Sequence, residues 1–534
     1  MGIAITNKLV NVIVHGTESK ATSALDNLLK YPVLDVGPLS NLGKALMEKT
    51  RFGMAARIYA KWTELRPKDP MPWTNLGACL YRLRLNKDAK EILLHAITLD
   101  PNYTLSRINL GGVLQELGEN HANLENALEV VRIDPKLPLA HNNLGSALAD
   151  LGMFEAAKHS FETTLILDPT NEFALSNLAK MNSSLGDSDT AIEQFEALIP
   201  RLERSGSSRT ELNKLHLAFE YLKLGRLEKA WEYYDLGFSK LLPVKMSRTP
   251  AREFGVPRWD GRPLQKDQRL LVWREQGIGD EVMFGNCLPE LAALGAEVIV
   301  ECDDRLIETY TRSFPEFIVR RQTFDPSKSM MALVKDYDYQ IPVGSLCRLY
   351  RSKIENFANS RPFIKVDEQR RADFAMRLEP YRDKRLIGIC WRSGMLSALR
   401  NNSYTSLVDW APIFSLPNAV FVNLQYGDCE EELLEAEQLH GIKVVRWADL
   451  DLKNDLDGVF ALMSNLETVV SVGTAVIPFA GAVGTNAILI THHSWTSLGQ
   501  VETYPWFPGI QPIYAENSQP VSSALNQVVK HLEK

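Results

Sequence analysis

The sequence predicts an α + α/β chain: an N-terminal all-α repeat superhelix, followed by a two-lobed α/β domain. Two observations carry this. Residues 36–243 repeat themselves, in five units at a fixed step of 34 and a sixth that is offset. After Val244 the period gives way to short apolar strands alternating with helical stretches. At 534 residues the chain is too long for one core and implies two to four domains. A 45% hydrophobic, 23% charged composition is that of an ordinary globular protein, and a net charge of -7 argues against a nucleic-acid-binding surface. The six cysteines form no CxxC pair, which predicts free thiols, a reducing compartment and no zinc site. Residues 3–14 are too short to cross a membrane and lack a basic start and small-residue cleavage site, so residues 1–35 are expected to be a short helical segment.

The repeat is legible position by position. Asn-Leu-Gly occurs at 41–43, 75–77, 109–111 and 143–145, with Asn177-Leu178-Ala179 continuing the series. Leu99-Asp100-Pro101, Ile133-Asp134-Pro135 and Leu167-Asp168-Pro169 keep the same step, as do Leu117-Gly118, Leu151-Gly152 and Leu185-Gly186. Trp73, Leu76, Gly77, Ala89, Ala96 and Pro101 then fall on the pattern of the tetratricopeptide repeat, which this half resembles. Small residues let paired helices approach, and the proline stops the second helix. Ala55, Ala157 and Ala191 keep the second small position, whereas Asn123 departs from it and predicts a weaker unit. A sixth unit is offset: Leu224-Gly225 lies 39 residues after Leu185-Gly186.

On the first helix of each unit stand Asn41, Asn75, Asn109, Asn143 and Asn177, with His216 in the equivalent place of the sixth. A carboxamide carries a donor and an acceptor, so a ladder of them can pair with the backbone of an extended peptide. The protein O-GlcNAc transferases, which this half resembles, use such a ladder for their acceptors. The competing reading is that asparagine is merely common at this repeat position.

Residues 244–268 read as a Pro/Gly-rich connector. Strands are predicted at 269–273, 297–301 and 338–342 in one lobe (269–375), and at 386–390, 419–424, 442–446, 467–472 and 487–490 in a second (376–534). Two facing doubly wound lobes, with ligand at the strand C-termini, form a glycosyltransferase B-type layout. "WREQGIGDEVMFGNCLPELAALGAEVIVE", "IGICWRSG", "FVNLQYGD", "VVSVGTAVIPFAGAVGT" and "YPWFPGI" occur in that order. In this the chain resembles bacterial tetratricopeptide-repeat glycosyltransferases, related to heptosyltransferases and to enzymes that modify flagellin with nonulosonic acids.

Gly277-Ile278-Gly279-Asp280 is the first candidate site. As a dinucleotide fingerprint it is incomplete, with Val282 at the third glycine position, and Asp280 and Glu281 would repel a pyrophosphate at that helix start. The resemblance to heptosyltransferases makes Asp280 the catalytic base. The alternative is a helix cap, and Glu281 reads as structural.

Gly473, Thr474 and Ala475 are the candidate donor-phosphate turn, since a helix start there is free of carboxylates. The family pattern carries an acid at the place of Gly473 and often a histidine at that of Pro478, so this chain departs from it twice. Arg392 and Arg400 are candidate clamps for phosphate or a sugar carboxylate, against surface salt bridges. Gln425 is a candidate nucleobase or ribose contact, and His492 and His493 are candidates for the donor sugar. No DxD or HExxH motif supports a metal, and Asp303-Asp304 reads as a helix cap.

The expected function is metal-independent, cytoplasmic protein O-glycosylation from a nucleotide sugar, with no other cofactor. The resemblance implies flagellin as acceptor and a CMP-linked nonulosonic acid as donor. Transfer to a lipid or polysaccharide, or a non-catalytic scaffold on a degenerate transferase fold, are the alternatives.

Overall fold

A computed structural model describes residues 7–31, 35–243, 246–249, 252–322, 334–394, 403–516 and 519–533. The chain divides into two compact units, residues 1–181 and 182–534.

The first unit is helical among its described residues. A helix pair, α1 (Asn7–His15) and α2 (Glu18–Leu29), precedes the repeats. Paired helices follow: α3 (Val36–Glu48) with α4 (Phe52–Leu65), α5 (Pro70–Arg82) with α6 (Asn86–Leu99), α7 (Thr104–Leu117) with α8 (Asn120–Ile133), and α9 (Pro138–Asp150) with α10 (Phe154–Leu167). The helix α11 (Glu172–Ser184) opens the fifth pair.

The repeat glycines work as spacers. A Cβ on Gly43 would stand 2.7 Å from the Tyr59 ring, one on Gly77 2.5 Å from Leu93, and one on Gly145 2.7 Å from Phe161. Tyr59, Leu93 and Phe161 are themselves 34 residues apart or a multiple of it, so a small residue on one helix faces a large one on its partner in register. At the third pair the large residue is replaced by Ala127, and the space beside Gly111 is taken by Asn123 Oδ1, 3.2 Å from where a Cβ would be. The departure at Asn123 is thus a buried polar filler, and the pair still forms. Each pair turns through a left-handed residue at one repeat position. Gly118, Gly152 and Gly186 fill it, and Thr50 and Arg84 hold the same positive φ without glycine's freedom.

The second unit begins with α12 (Ser188–Ser205), then α13 (Thr210–Lys223) and α14 (Leu227–Tyr234), and continues into two parallel sheets. The first sheet holds β1 (Arg269–Trp273), β2 (Glu297–Cys302), β3 (Ile318–Arg321) and β4 (Tyr339–Pro342) in the order β3-β2-β1-β4. The second holds β5 (Arg385–Cys390), β6 (Ala419–Asn423), β7 (Val444–Val445), β8 (Thr468–Val472), β9 (Asn486–Thr491) and β10 (Ile510–Tyr514), ordered β10-β9-β8-β5-β6-β7. Every pairing is parallel. The second order is doubly wound, reversing direction between β5 and β8.

Strands β3 and β10 lie outside the strands predicted from sequence. Both are edge strands. β3 is short and ends in two arginines, while β10 carries Pro512, which an edge tolerates because one side of the strand needs no N–H. The last helix pair is built into this unit rather than standing apart. Trp231 Nε1 on α14 donates to Arg351 O (2.9 Å), Arg351 Nη2 donates to Asn286 Oδ1 (2.8 Å), and Asn286 Nδ2 donates to Trp506 O (3.0 Å). One hydrogen-bonded line so joins the sixth repeat, the first lobe and the second lobe.

Candidate active site

Ligand sites of open parallel sheets lie outside strand C-termini where the strand order reverses. In the first lobe that point falls between β1 and β4, and the protein fills it. Glu275, just past β1 and fully buried, is paired with buried Arg248 and accepts the N–H of Gly344, just past β4, at 2.9 Å. Arg248 also lies over the rings of Tyr234 and Phe238 and bonds Asp235 (3.1 Å). A satisfied buried ion pair thus occupies the space a phosphate would need. The backbone then climbs through Gln276, whose φ of 59° is left-handed, to Gly277 at the N-cap of α15 (Ile278–Gly285).

Asp280 sits in the first turn of α15 and is partly exposed. Its Oδ2 lies 3.6 Å from where a Cβ on Gly277 would be, so the carboxylate folds back over the helix start. Tyr234 and Tyr504 stand close enough that its charge adds to the burial that raises both phenols. An acid at the rim of an aromatic wall results, formed by groups from the sixth repeat and both lobes.

Glu281, the next residue, has the opposite environment. It is buried, accepts the N–H of Asp303 at 2.9 Å and pairs with Arg274 (3.0 Å). Burial outweighs these contacts and pushes its carboxyl up to about 7. A carboxyl raised on folding favours the native state while it is protonated. That contribution is full below pH 4.5, its unfolded value, and is lost as pH rises through about 7. Glu281→Gln should therefore flatten the stability profile between pH 4.5 and 7 and raise stability at pH 8 by up to about 3 kcal/mol, read from urea unfolding across pH. A profile unchanged by the substitution would mean that Arg274 keeps the carboxylate ionised throughout.

In the second lobe the reversal point is open. Gly473 follows β8, is exposed, and a Cβ there would meet nothing within 4 Å. Thr474 differs from the expected phosphate donor. Its N–H donates to Val472 O (2.7 Å), and its hydroxyl accepts from Val476 N (3.3 Å) and lies 3.1 Å from Ser471 Oγ. It shapes the turn from within, because a hydroxyl one turn from its own helix start finds backbone partners first. Ala475 begins the helix Val476–Val483 and faces the first loop: a Cβ on Gly279 would stand 3.0 Å from Ala475 Cα. The two glycine turns therefore meet backbone to backbone.

The remaining expectations divide. Arg392 is engaged with Glu432 through Nε (2.9 Å) and donates from Nη2 to Asp428 O (2.8 Å), so it forms the salt bridge and not the phosphate clamp. Gln425 is buried, and its Oε1 accepts from the N–H groups of Trp391 (3.2 Å) and Arg392 (3.0 Å) while its Nε2 donates to Tyr426 O (3.1 Å). It braces the segment after β5 in place of reading a base, since a buried carboxamide is held by whatever backbone it reaches. His492 Nε2 lies 2.9 Å from Gln519 O. His493 packs on Tyr514 and lies 3.4 Å from Ser497 Oγ, and burial, aided by Lys223, lowers its pKa. Each imidazole thus has a protein partner. Arg400 lies outside the described residues.

Sequence reasoning missed a concavity of the second lobe. A cleft of about 660 Å³ opens beyond the C-termini of β6 and β7, lined among others by Tyr426, Asp428, Trp447, Asp451 and Asn454. Its residues come from two loops distant in sequence, and only the "LQYGD" run hinted at it. Among the described residues no three His, Cys, Asp or Glu side chains gather as metal ligands, and no helix is long and apolar enough to cross a membrane.

The asparagines lie where the period put them, on α3, α5, α7, α9 and α11. His216, on α13 in the second unit, stacks on Phe195 at 5.9 Å. The tetratricopeptide-repeat family matches residues 72–103 and 139–171, which cover α5–α6 and α9–α10 with their closing prolines. These are tetratricopeptide repeats. The chain is also similar to Protein FlbA of Caulobacter vibrioides, 35% identical over 308 residues, which are 55% of this chain and 50% of that protein. It thus spans half the length of this curated relative. Among solved structures it is similar to MamA from Desulfovibrio magneticus RS-1 (24% identical, 32% of this chain and 95% of that chain, TM-score 0.29). A thermophilic tetratricopeptide protein of Thermus thermophilus is similar to a like extent (22% identical, 31% and 90%, TM-score 0.29).

Proposed function

We propose that the chain is a protein glycosyltransferase whose repeats bind a protein acceptor and whose two parallel-sheet lobes hold a nucleotide sugar. The observation that carries this reading is the meeting of the two glycine turns. Gly279 abuts Ala475, which sets Asp280 of one lobe beside the open Gly473 turn of the other. Donor phosphate lies at Gly473, and its nucleoside extends into the cleft beyond β6 and β7, with Asp428 for the ribose and the Tyr426 and Trp447 rings for the base. An acceptor hydroxyl attacks the anomeric carbon, Asp280 takes its proton, and the nucleotide phosphate leaves with the bonding electrons. The resemblance described above extends the reading to a Ser/Thr hydroxyl of flagellin and a CMP-linked nonulosonic acid.

A second reading is a protein-binding scaffold with an inactive transferase fold. It is favoured by Arg392, which is spent on Glu432, and by the absence of the family's acid at Gly473. Calorimetric titration with CMP, UDP, GDP and ADP separates the two, with Gly473→Asp as control. The transferase reading expects one nucleotide to bind and the added carboxylate to weaken it at least about tenfold, by repulsion at a helix start. Silence for all four leaves the scaffold.

A further inference from the structure

We propose that Arg305 is a positioning residue that joins the wall of the cleft beyond β6 and β7 to the helix start carrying Asp280, so that a change at either end is felt at the other. A line of contacts across the two lobes makes the joint. Arg305 Nη1, from the first lobe, donates to Lys453 O (2.9 Å), and Lys453 lines the cleft. The same guanidinium turns its other side to Asp303, just past β2, with Nε on Oδ1 (2.7 Å) and Nη2 on Oδ2 (3.1 Å). Asp303 donates its own N–H to Glu281 Oε1 (2.9 Å). Arg274 closes the line, with Nη1 3.1 Å from Asp303 Oδ2 and Nε 3.0 Å from Glu281 Oε2. The N–H of Glu281 donates to Gly277 O (3.0 Å) in the first turn of α15, so what shifts Glu281 shifts Asp280 beside it.

One atom makes the line responsive. Asp303 Oδ2 is shared by two arginines, each at 3.1 Å. A charge-assisted pair weakens when its carboxylate is claimed by another cation. An ionised Glu281 holds Arg274, which leaves Asp303 to fix Arg305 against Lys453 O. A proton on Glu281 releases Arg274 to Asp303, and the hold on Arg305 slackens. The other groups around Glu281 do not take its place. Burial keeps the Cys302 thiol and the Tyr310 phenol neutral, and Asp304 is exposed. The helix Val476–Val483 and the turn Val343–Ser345, both packed on α15, carry no charged residue. The far end is a closed turn. Lys453 and Asn454 donate their N–H groups to Asp451 Oδ1 (2.9 and 3.1 Å), and Arg370 Nη1 donates to Asp455 Oδ1 (2.6 Å). A ligand that moves this turn changes what Arg305 holds and hence where Arg274 rests, because coupling between two sites is reciprocal. The joint rests on these contacts. What its ends do, nucleoside in the cleft and base at Asp280, rests on the proposed function.

Hydrogen exchange of the full chain, read by mass spectrometry across Lys453 and Asn454, tests it. Glu281→Gln at pH 8 should lower protection there about fivefold, the low end of ordinary coupling. The unsubstituted chain should show the same loss between pH 8 and pH 6, as Glu281 takes up its proton at about 7, once intrinsic exchange is corrected for. Arg305→Lys keeps the charge but cannot fork between Asp303 and Lys453 O, so it should abolish both responses. The helix Leu525–Leu532, which shares none of these contacts, should not respond. An unresponsive turn, a response that survives Arg305→Lys, or an equal loss in Leu525–Leu532 would overturn the proposal. Where a variant fails to fold, the pH comparison on the unsubstituted chain decides. Silence of CMP, UDP, GDP and ADP with the turn still answering to Glu281 would remove the transferase reading and sustain the joint.

Discussion

Asp280→Asn is expected to lower sugar transfer by about 10²–10⁴-fold, the loss typical of a missing general base. The fold should barely notice. The carboxylate lies in the first turn of α15, where a negative charge is worth about 0.3–1 kcal/mol. Nucleotide affinity should be unchanged, because the proposed donor turn belongs to the other lobe. Single-turnover transfer and a urea titration on the same preparation separate the roles. If transfer persists and only stability falls, Asp280 is a helix cap and the base lies elsewhere.

The second large effect is expected at Gly279. A Cβ there would stand 3.0 Å from Ala475 Cα and 3.2 Å from Ala475 Cβ, so the obstacle includes backbone that cannot rotate away. Gly279→Val should push the two turns apart, at about 1–3 kcal/mol of stability for overpacking. Transfer should fall about 10²-fold or more, because an ångström of misplacement between reacting groups costs that much. Isolated nucleotide binding at the Gly473 turn should survive. A variant that folds and transfers normally would show that the lobes close on substrate by a route that does not need this contact.

The two acids of "GIGDEV" show how far residue type leads. Sequence alone set Asp280 apart from Glu281, through resemblance and the expectation that one of the two serves structure. The environments bear on this difference. Glu281 points into a buried pocket with Arg274 and the Asp303 amide, while Asp280 stays at the rim. Gln425 and Arg392 show the limit. Both are polar residues next to strand ends, where ligands bind in such folds, and both are consumed by the protein: one by two backbone amides, the other by Glu432. Whether a polar group faces ligand or backbone depends on partners that lie some 33 to 40 residues away along the chain.

What the sequence determined by itself is local and periodic. A step of 34 places the first five helix pairs, their small spacer residue and their asparagine, because successive repeats meet like neighbours and one unit's chemistry is that of the next. Apolar runs bounded by turns located eight of the ten strands among the described residues for a similar reason, since burial on both faces of a parallel sheet leaves a continuous signal. Tertiary structure alone decided the rest: the edge strands β3 and β10, the ion pair that fills the first lobe's reversal point, and the contact of Gly279 with Ala475. These depend on which strand ends become neighbours, and residues nearly 200 positions apart carry no shared period to announce that they touch.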